Sequence, residues 1–182
     1  MDDDKVWRGM AVLLAVVIGL MVLLIGIGLF DPRPVGDMRW QKSDIALSVQ
    51  RRGVLWLNEG LAEQFTVRGT AVYQSGEQDS VYGLALGSAA EYLAVGVSPL
   101  GYVTVWQGET VLMPLQPWPH VRTGPASNEF WLDVRGDEIT VWLNREILWV
   151  GKAAVAGDVG VVAESWGETV EFQFIEITFF AP

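Results

Sequence analysis

Between residues 130 and 144 the chain reads FWLDVRGDEITVWLN. Phe130, Leu132 and Val134 alternate with Trp131, Asp133 and Arg135. After Gly136-Asp137, Ile139, Val141 and Leu143 alternate with Glu138, Thr140, Trp142 and Asn144. A period of two marks a half-buried strand, because successive side chains leave a strand on opposite faces. Two such runs about a Gly-first pair predict a hairpin with a type II′ turn, which follows the natural twist of the strands. The turn fixes the register: Arg135 opposite Glu138, Asp133 opposite Thr140, Trp131 opposite Trp142. The aliphatic residues then share one face and the tryptophans the other.

The same period recurs from residue 45 onward. Strands are predicted at 45–50, 54–57, 65–73, 81–86, 92–97, 102–106, 110–112, 147–150, 159–163 and 170–179, with turns rich in Gly, Ser, Asn and Asp between them. This spacing predicts an all-β sandwich. In the last strand Val170, Phe172 and Phe174 are in phase, whereas Ile175, Ile177 and Phe179 hold the opposite parity. Such a slip predicts a β-bulge near Phe174-Ile175. Segment 113–128 carries Pro114, Pro117, Pro119 and Pro125, which suits a crossover between two sheets better than a hairpin.

The first thirty residues break the pattern. Gly9 to Phe30 is a run of 22 residues without a charge. As a helix it would span about 33 Å, enough to cross a bilayer. The run ends in Gly-Leu-Phe-Asp-Pro-Arg-Pro, which offers no small-x-small cleavage site, so an uncleaved anchor is expected rather than a signal peptide. The expected organisation is a tail at 1–8, a transmembrane helix at 9–30, a linker at 31–42 and a domain at 43–182. Lys5 and Arg8 precede the helix while Arg33, Arg39 and Lys42 follow it, so the charges do not set the orientation. The short tail favours a single-pass signal-anchor at the cell membrane with the C-terminal domain extracytoplasmic. Pro32 and Pro34 stiffen the connection, and residues 31–37 reach at most about 25 Å. Trp7 and Trp40 flank the run and suit interfacial anchoring. Ala11, Ala15, Gly19 and Gly26 fall on one stripe, where small residues let a second helix approach, from a membrane-protein partner or another copy.

Charge removes one class of partner. From Asp31 onward 19 acids face 10 bases, a net of −9, and from Asn128 to the end the balance is 10 to 3. Nucleic acid is not an expected partner, because phosphate binding needs a basic footprint. No polybasic patch for anionic lipid is visible either.

The run from Trp118 through Asn128 into FWLDVRGDEITVWLN, then Gly157-Asp158-Val159-Gly160-Val161, then VEFQFIEIT, resembles the concanavalin A-like jelly roll. More narrowly it is similar to laminin-G-like and 3-keto-disaccharide-hydrolase-type domains. The resemblance covers about residues 43–179 and is carried mostly from residue 118 onward. It departs at Asn144-Arg145, where the family has Asn-Gly and where a wider turn is expected here. The resemblance implies an antiparallel two-sheet jelly-roll sandwich with one concave sheet, and a role in recognising glycans or proteins.

Candidate chemistry is sparse. Related glucanases project two carboxylates about 5–5.5 Å apart from one strand face. Glu164, Glu168, Glu171 and Glu176 come nearest but do not reproduce that spacing on one strand. His120 is the only histidine and cysteine is absent, so a zinc site or a His-dependent triad is not expected. No cofactor is expected, although carbonyls and carboxylates of loops can hold calcium, and Gly76-Glu77-Gln78-Asp79 forms an acidic turn. Nine tryptophans remain. Trp56 lies in an apolar run and points to the core, and Trp118 suits a plug at one end of the sandwich. Trp106 shares parity with Tyr102 and Thr104 and is expected outward, beside Trp131 and Trp142. These three, with Asp133 and Thr140, are the expected binding platform. The sequence thus reads as a membrane-anchored, non-catalytic binding or assembly module, an accessory or interaction subunit. The alternative is a cell-surface glycan-binding module, and a glycoside hydrolase is a third reading.

Overall fold

The computed structural model describes residues 3–27 and 32–182, which fall in two units, Met1–Arg33 and Pro34–Pro182. Residues 28–30 of the expected anchor and 31 of the expected linker lie outside the described residues. The first unit is helix α1, Asp3–Gly26. Its segment Trp7–Gly26 has a mean hydropathy of 2.8 and is long and apolar enough to cross a membrane.

The second unit is all strand and turn. In chain order its strands are β1 (Asp37–Val49), β2 (Gly53–Gly60), β3 (Gln64–Ser75), β4 (Val81–Gly87), β5 (Tyr92–Val97) and β6 (Tyr102–Gln107). There follow β7 (Thr110–Pro117), β8 (Asn128–Arg135), β9 (Glu138–Leu143), β10 (Glu146–Lys152), β11 (Asp158–Glu164) and β12 (Val170–Ala181). The first sheet runs β1-β12-β3-β8-β9-β10 and the second β2-β11-β4-β5-β6-β7, all antiparallel. Phe65, Phe130, Leu132, Ile139, Phe172 and Phe174 from the first sheet meet Tyr82, Leu84, Leu86 and Leu93 from the second in one buried core. Each such fully buried side chain contributes about 1.5–3 kcal/mol of transfer free energy.

The hairpin forms as its pattern requires. Trp131 pairs with Trp142, Asp133 with Thr140 and Arg135 with Glu138. Gly136 takes φ +65 at the first turn position, the conformation that a type II′ turn demands. The bulge is also present: Phe174 pairs with Ala71 and Glu176 with Thr70, leaving Ile175 unmatched on β3. Phe172 and Phe174 before it and Ile177 and Phe179 after it therefore all face the core.

Three local expectations are corrected. Strand β1 begins eight residues upstream of the predicted 45–50 strand and occupies half of the stretch read as linker. Asp44, at φ +59, switches the inward face of β1, so that Trp40 as well as Ile45 and Leu47 packs on the core. A parity break of this kind hides a strand from a periodicity count. Trp40 consequently stacks on Phe179 at 5.4 Å within the domain rather than standing clear as an interfacial anchor. Asn144-Arg145 does not widen its turn: Leu143 pairs with Glu146, and the two turn residues adopt φ of 51° and 74°. Both central residues with positive φ make a type I′ turn, reached here without glycine. Part of the proline-rich segment is strand. Pro114 and Pro117 fit on β7 because it is a sheet edge, where a missing N–H donor costs no ladder bond. The stretch 118–127 then crosses from the second sheet to the first, as expected.

That crossover is fastened by a buried amide. Asn128 Nδ2 donates to the Tyr82 hydroxyl at 3.0 Å and to Arg122 O at 2.8 Å, while its Oδ1 accepts from Arg122 N and from Asn144 Nδ2, each at 2.8 Å. Asn144 Nδ2 also donates to His120 O at 2.7 Å. Crossover, hairpin and I′ turn are thereby held at one point. Trp118 packs against the core at this end, as a plug would.

Candidate binding groove

The outer face of the second sheet is built low at its centre. Outward positions on β4, β5 and β11 are small or short: Ala85, Ala94, Gly96, Gly160 and Val162. Aromatic rings pack closely over two of them, Gly96 and Gly160. A Cβ on Gly96 would come within 2.2 Å of Val81 and 3.2 Å of the Trp106 ring, and one on Gly160 within 2.8 Å of Trp56. Trp56 and Tyr92 meet edge to face at 5.8 Å. This second apolar cluster of Val81, Ala85, Ala94, Trp106 and Val162, with Trp56 against it, is separate from the main core. Trp56 therefore packs outside the sandwich, not between its sheets as its apolar surroundings suggested. Strands buried on both faces read as continuous apolar runs, and VYGLALG and YLAVGV do so.

Over this floor runs a charged crossbar. Arg52, in the β1–β2 turn, places Nη2 3.0 Å from both carboxylate oxygens of Glu164 at the end of β11. Its Nη1 lies 4.0 Å from Glu109, and its guanidinium sits 5.7 Å above the Trp106 ring. Burial lowers the Arg52 pKa, and the opposing hydrogen bond and charge of Glu164 outweigh it, so the group is held cationic more firmly than usual. Arg52, Trp106, Glu109, Val111, Leu115 and Trp166 line a cleft of about 310 Å³. A second lobe of about 590 Å³ shares Arg52, Glu164 and Trp166 and continues past Gln50, Arg51 and Gly167. Trp166 is 56 % exposed, Val111 61 % and Leu115 48 %, so the walls present free apolar surface. The 165–169 loop that carries Trp166 is braced: Glu77 Oε2 accepts from the Trp166 backbone N–H at 3.1 Å and from Ser165 Oγ at 3.0 Å. The acidic turn at Gly76–Asp79 thus serves this loop through Glu77.

The expected platform is only partly assembled. Trp131 and Trp142 stand opposite one another on the outer face of the first sheet, with Asp133 and Thr140 beside them. Trp106 is outward too, but on the second sheet, so the three tryptophans do not form one surface. The parity of β6, β8 and β9 was legible; which sheet each of them joins was not. Trp131 is 9 % exposed, with the Arg68 guanidinium 5.5 Å over its ring and Glu129 2.6 Å from Arg68. Asp133 accepts from Thr66 Oγ1 at 2.8 Å and from Arg135 Nε at 3.2 Å. Thr66 Oγ1 in turn accepts from the Val35 N–H at 2.8 Å, which ties down the chain where it enters the domain. The four glutamates do not converge. Glu164 holds Arg52 on the second sheet, whereas Glu171 and Glu176 lie on β12 of the first and bond Ser75 and Gln41. Among the described residues no three His, Cys, Asp or Glu side chains are placed to hold a metal ion.

No family model and no curated protein sequence matches the chain. Solved structures do. The carbohydrate-binding module CBM66 of Bacillus subtilis superposes with a TM-score of 0.54 at 12 % identity, over 78 % of this chain and 98 % of that one. The β-fructofuranosidase of Aspergillus kawachii gives 0.55 at 10 % identity over 78 % of this chain, which spans only 27 % of the enzyme. A structure of botulinum neurotoxin type C gives 0.51 at 7 % identity, over 81 % of this chain and 42 % of that one. Identities this low speak to the fold alone. Two antiparallel six-stranded sheets, joined by a crossover and packed on one core, make this domain a concanavalin A-like jelly-roll sandwich.

Proposed function

We propose that the domain is a non-catalytic glycan-binding module, held at a membrane by α1 and displayed outside the cytoplasm. The observation that carries this reading is the groove on the second sheet, where an exposed indole stands beside an accessible Arg–Glu pair. A sugar ring needs both elements: its C–H face packs on an aromatic plane, and adjacent hydroxyls donate to a carboxylate and accept from a guanidinium. Trp166 supplies the plane, and Arg52 with Glu164 the polar edge. The platform expected at Trp131 and Trp142 is a weaker candidate, because Asp133 and the Trp131 ring are already engaged within the first sheet. Support also comes from CBM66, a carbohydrate-binding module by name, which this domain matches over nearly its whole length.

The test is affinity electrophoresis and calorimetry of the full chain in detergent against a panel of neutral polysaccharides. Retention by at least one of them is expected. Arg52→Ala and Trp166→Ala should each weaken it roughly tenfold or more, as the loss of a charge-assisted hydrogen bond or a stacked ring would. No turnover of the bound polysaccharide is expected. Failure of every polysaccharide to bind removes the glycan reading and leaves the assembly reading. That second reading rests on α1, whose Ala11, Ala15, Gly19 and Gly26 offer a close-packing stripe to another helix, with open space around Gly19 and Gly26.

A further inference from the structure

We infer that the groove takes an uncharged, linear glycan of two or more rings, laid across the strands with one ring on Trp166. This rests on the glycan reading of the same site and narrows it to a ligand class.

Length follows from the shape of the groove. Its two lobes meet at Arg52, Glu164 and Trp166 and extend to opposite sides, one to Leu115 on edge strand β7 and the other to Gln50 in the β1–β2 turn. Each lobe alone reaches the lower bound of about 300 Å³ for a small-molecule site. A single ring on Trp166 fills the junction and leaves both lobes to water. A chain fills all three positions.

Charge follows from the lining. The ionised groups along both lobes are Arg51, Arg52, Glu109 and Glu164, two of each sign. Both Glu164 oxygens already face Arg52 Nη2. A carboxylated sugar gains Arg52 only by parting that pair, and it then meets Glu164 and Glu109 as like charges. Hydroxyls bond both partners without separating them, because the carboxylate keeps free lone pairs and the guanidinium keeps free N–H groups. Val111 and Leu115, both well exposed, give a chain's C–H faces a place to rest beyond the polar crossbar.

Glu77 enters as a positioning residue. Its side chain does not line the groove but holds the Trp166 backbone N–H and the Ser165 hydroxyl, so the indole is presented at a reduced ordering cost at binding.

The experiment is titration calorimetry of the full chain in detergent with size-graded neutral oligosaccharides of one to six rings, from β-1,3-glucan, β-1,4-glucan and β-2,6-fructan. Uronic-acid oligomers of equal length are run alongside. In at least one neutral series affinity should climb about tenfold or more from one ring to four, as one further stacked or packed ring would give. Trp166→Ala should abolish the climb. Leu115→Ala should truncate it at the longer oligomers, and Glu77→Ala should weaken binding while leaving the length dependence. All three should unfold at the parent temperature to within a few degrees, because none removes a core side chain. A single ring binding as tightly as its oligomers, a preference for the uronic-acid series, or a length dependence that survives in both Trp166→Ala and Leu115→Ala overturns the inference while the glycan reading stands. Absence of binding to every series defeats the glycan reading itself.

Discussion

Tyr82 shows how one side chain joins the sandwich to its crossover. Its ring is fully buried, stacked on Phe172 at 4.6 Å, and its hydroxyl accepts from Asn128. Burial pushes its pKa up from 10.0 to about 12, with the Asn128 bond pulling the other way. A raised folded-state pKa means that the folded chain keeps this proton after the unfolded chain has lost it. The contribution is whole below pH 10 and is lost as pH rises from about 10 to about 12. Two pH units correspond to roughly 2–3 kcal/mol. Denaturant unfolding from pH 9 to 12 should therefore show a steep alkaline loss in the parent chain and a shallower one in Tyr82→Phe. Equal slopes would mean that Tyr82 does not couple folding to alkaline pH. At neutral pH the Phe variant should lose about 1 kcal/mol, the usual net worth of a hydrogen bond.

At the scale of elements, two glycines separate two kinds of constraint. Gly136 sits at φ +65 with open space where a Cβ would go. Gly136→Ala thus meets only backbone strain, and about 1–2 kcal/mol of stability should be lost with the hairpin register intact. Gly96 has ordinary backbone but lies beneath Val81 and Trp106. Gly96→Ala must displace the Val81 side chain, 2.2 Å from the new Cβ, and shift the Trp106 ring, 3.2 Å from it, so its signature is a changed Trp106 environment and weakened ligand binding beyond any loss of stability. Near-ultraviolet circular dichroism of the two variants distinguishes them: a spectrum altered in Gly136→Ala but not in Gly96→Ala would reverse the assignment. The hairpin core supplies the scale for both, since Leu132→Ala, at 0 % exposure, should cost about 2–5 kcal/mol.

For the whole molecule the decisive feature is an acidic domain that follows an apolar helix in the chain. The segment Trp7–Gly26 is long and apolar enough to cross a membrane, and the anchor reading makes it an integral segment. The full chain should stay in the membrane pellet through alkaline carbonate, whereas the 34–182 fragment should be recovered in the soluble fraction. Protease added outside intact cells should remove the domain and spare the anchor. Release of the full chain by carbonate would reduce α1 to a peripheral or processed segment, and protection of the domain would reverse the orientation.

What the sequence determined by itself is whatever local spacing encodes. A period of two, a Gly-Asp turn and a parity slip placed the hairpin, its register and the bulge at Ile175, because each depends on residues a few positions apart. Trp106 was legible as outward for the same reason. Its neighbours were not, because strand order within a sheet is set by contacts between residues far apart in sequence. Trp106 and Trp131 are 25 residues apart and both point outward, yet the crossover at 118–127 puts them on opposite faces of the sandwich. The groove was hidden for the same physical reason. Arg52 and Glu164 are 112 residues apart and meet only because β2 and β11 pair side by side. Nothing local pairs the two, and Trp166, in the loop between β11 and β12, gains meaning from Glu77 and Ser165 bracing that loop. The elements were written locally; the site was decided by the pairing of strands that lie far apart along the chain.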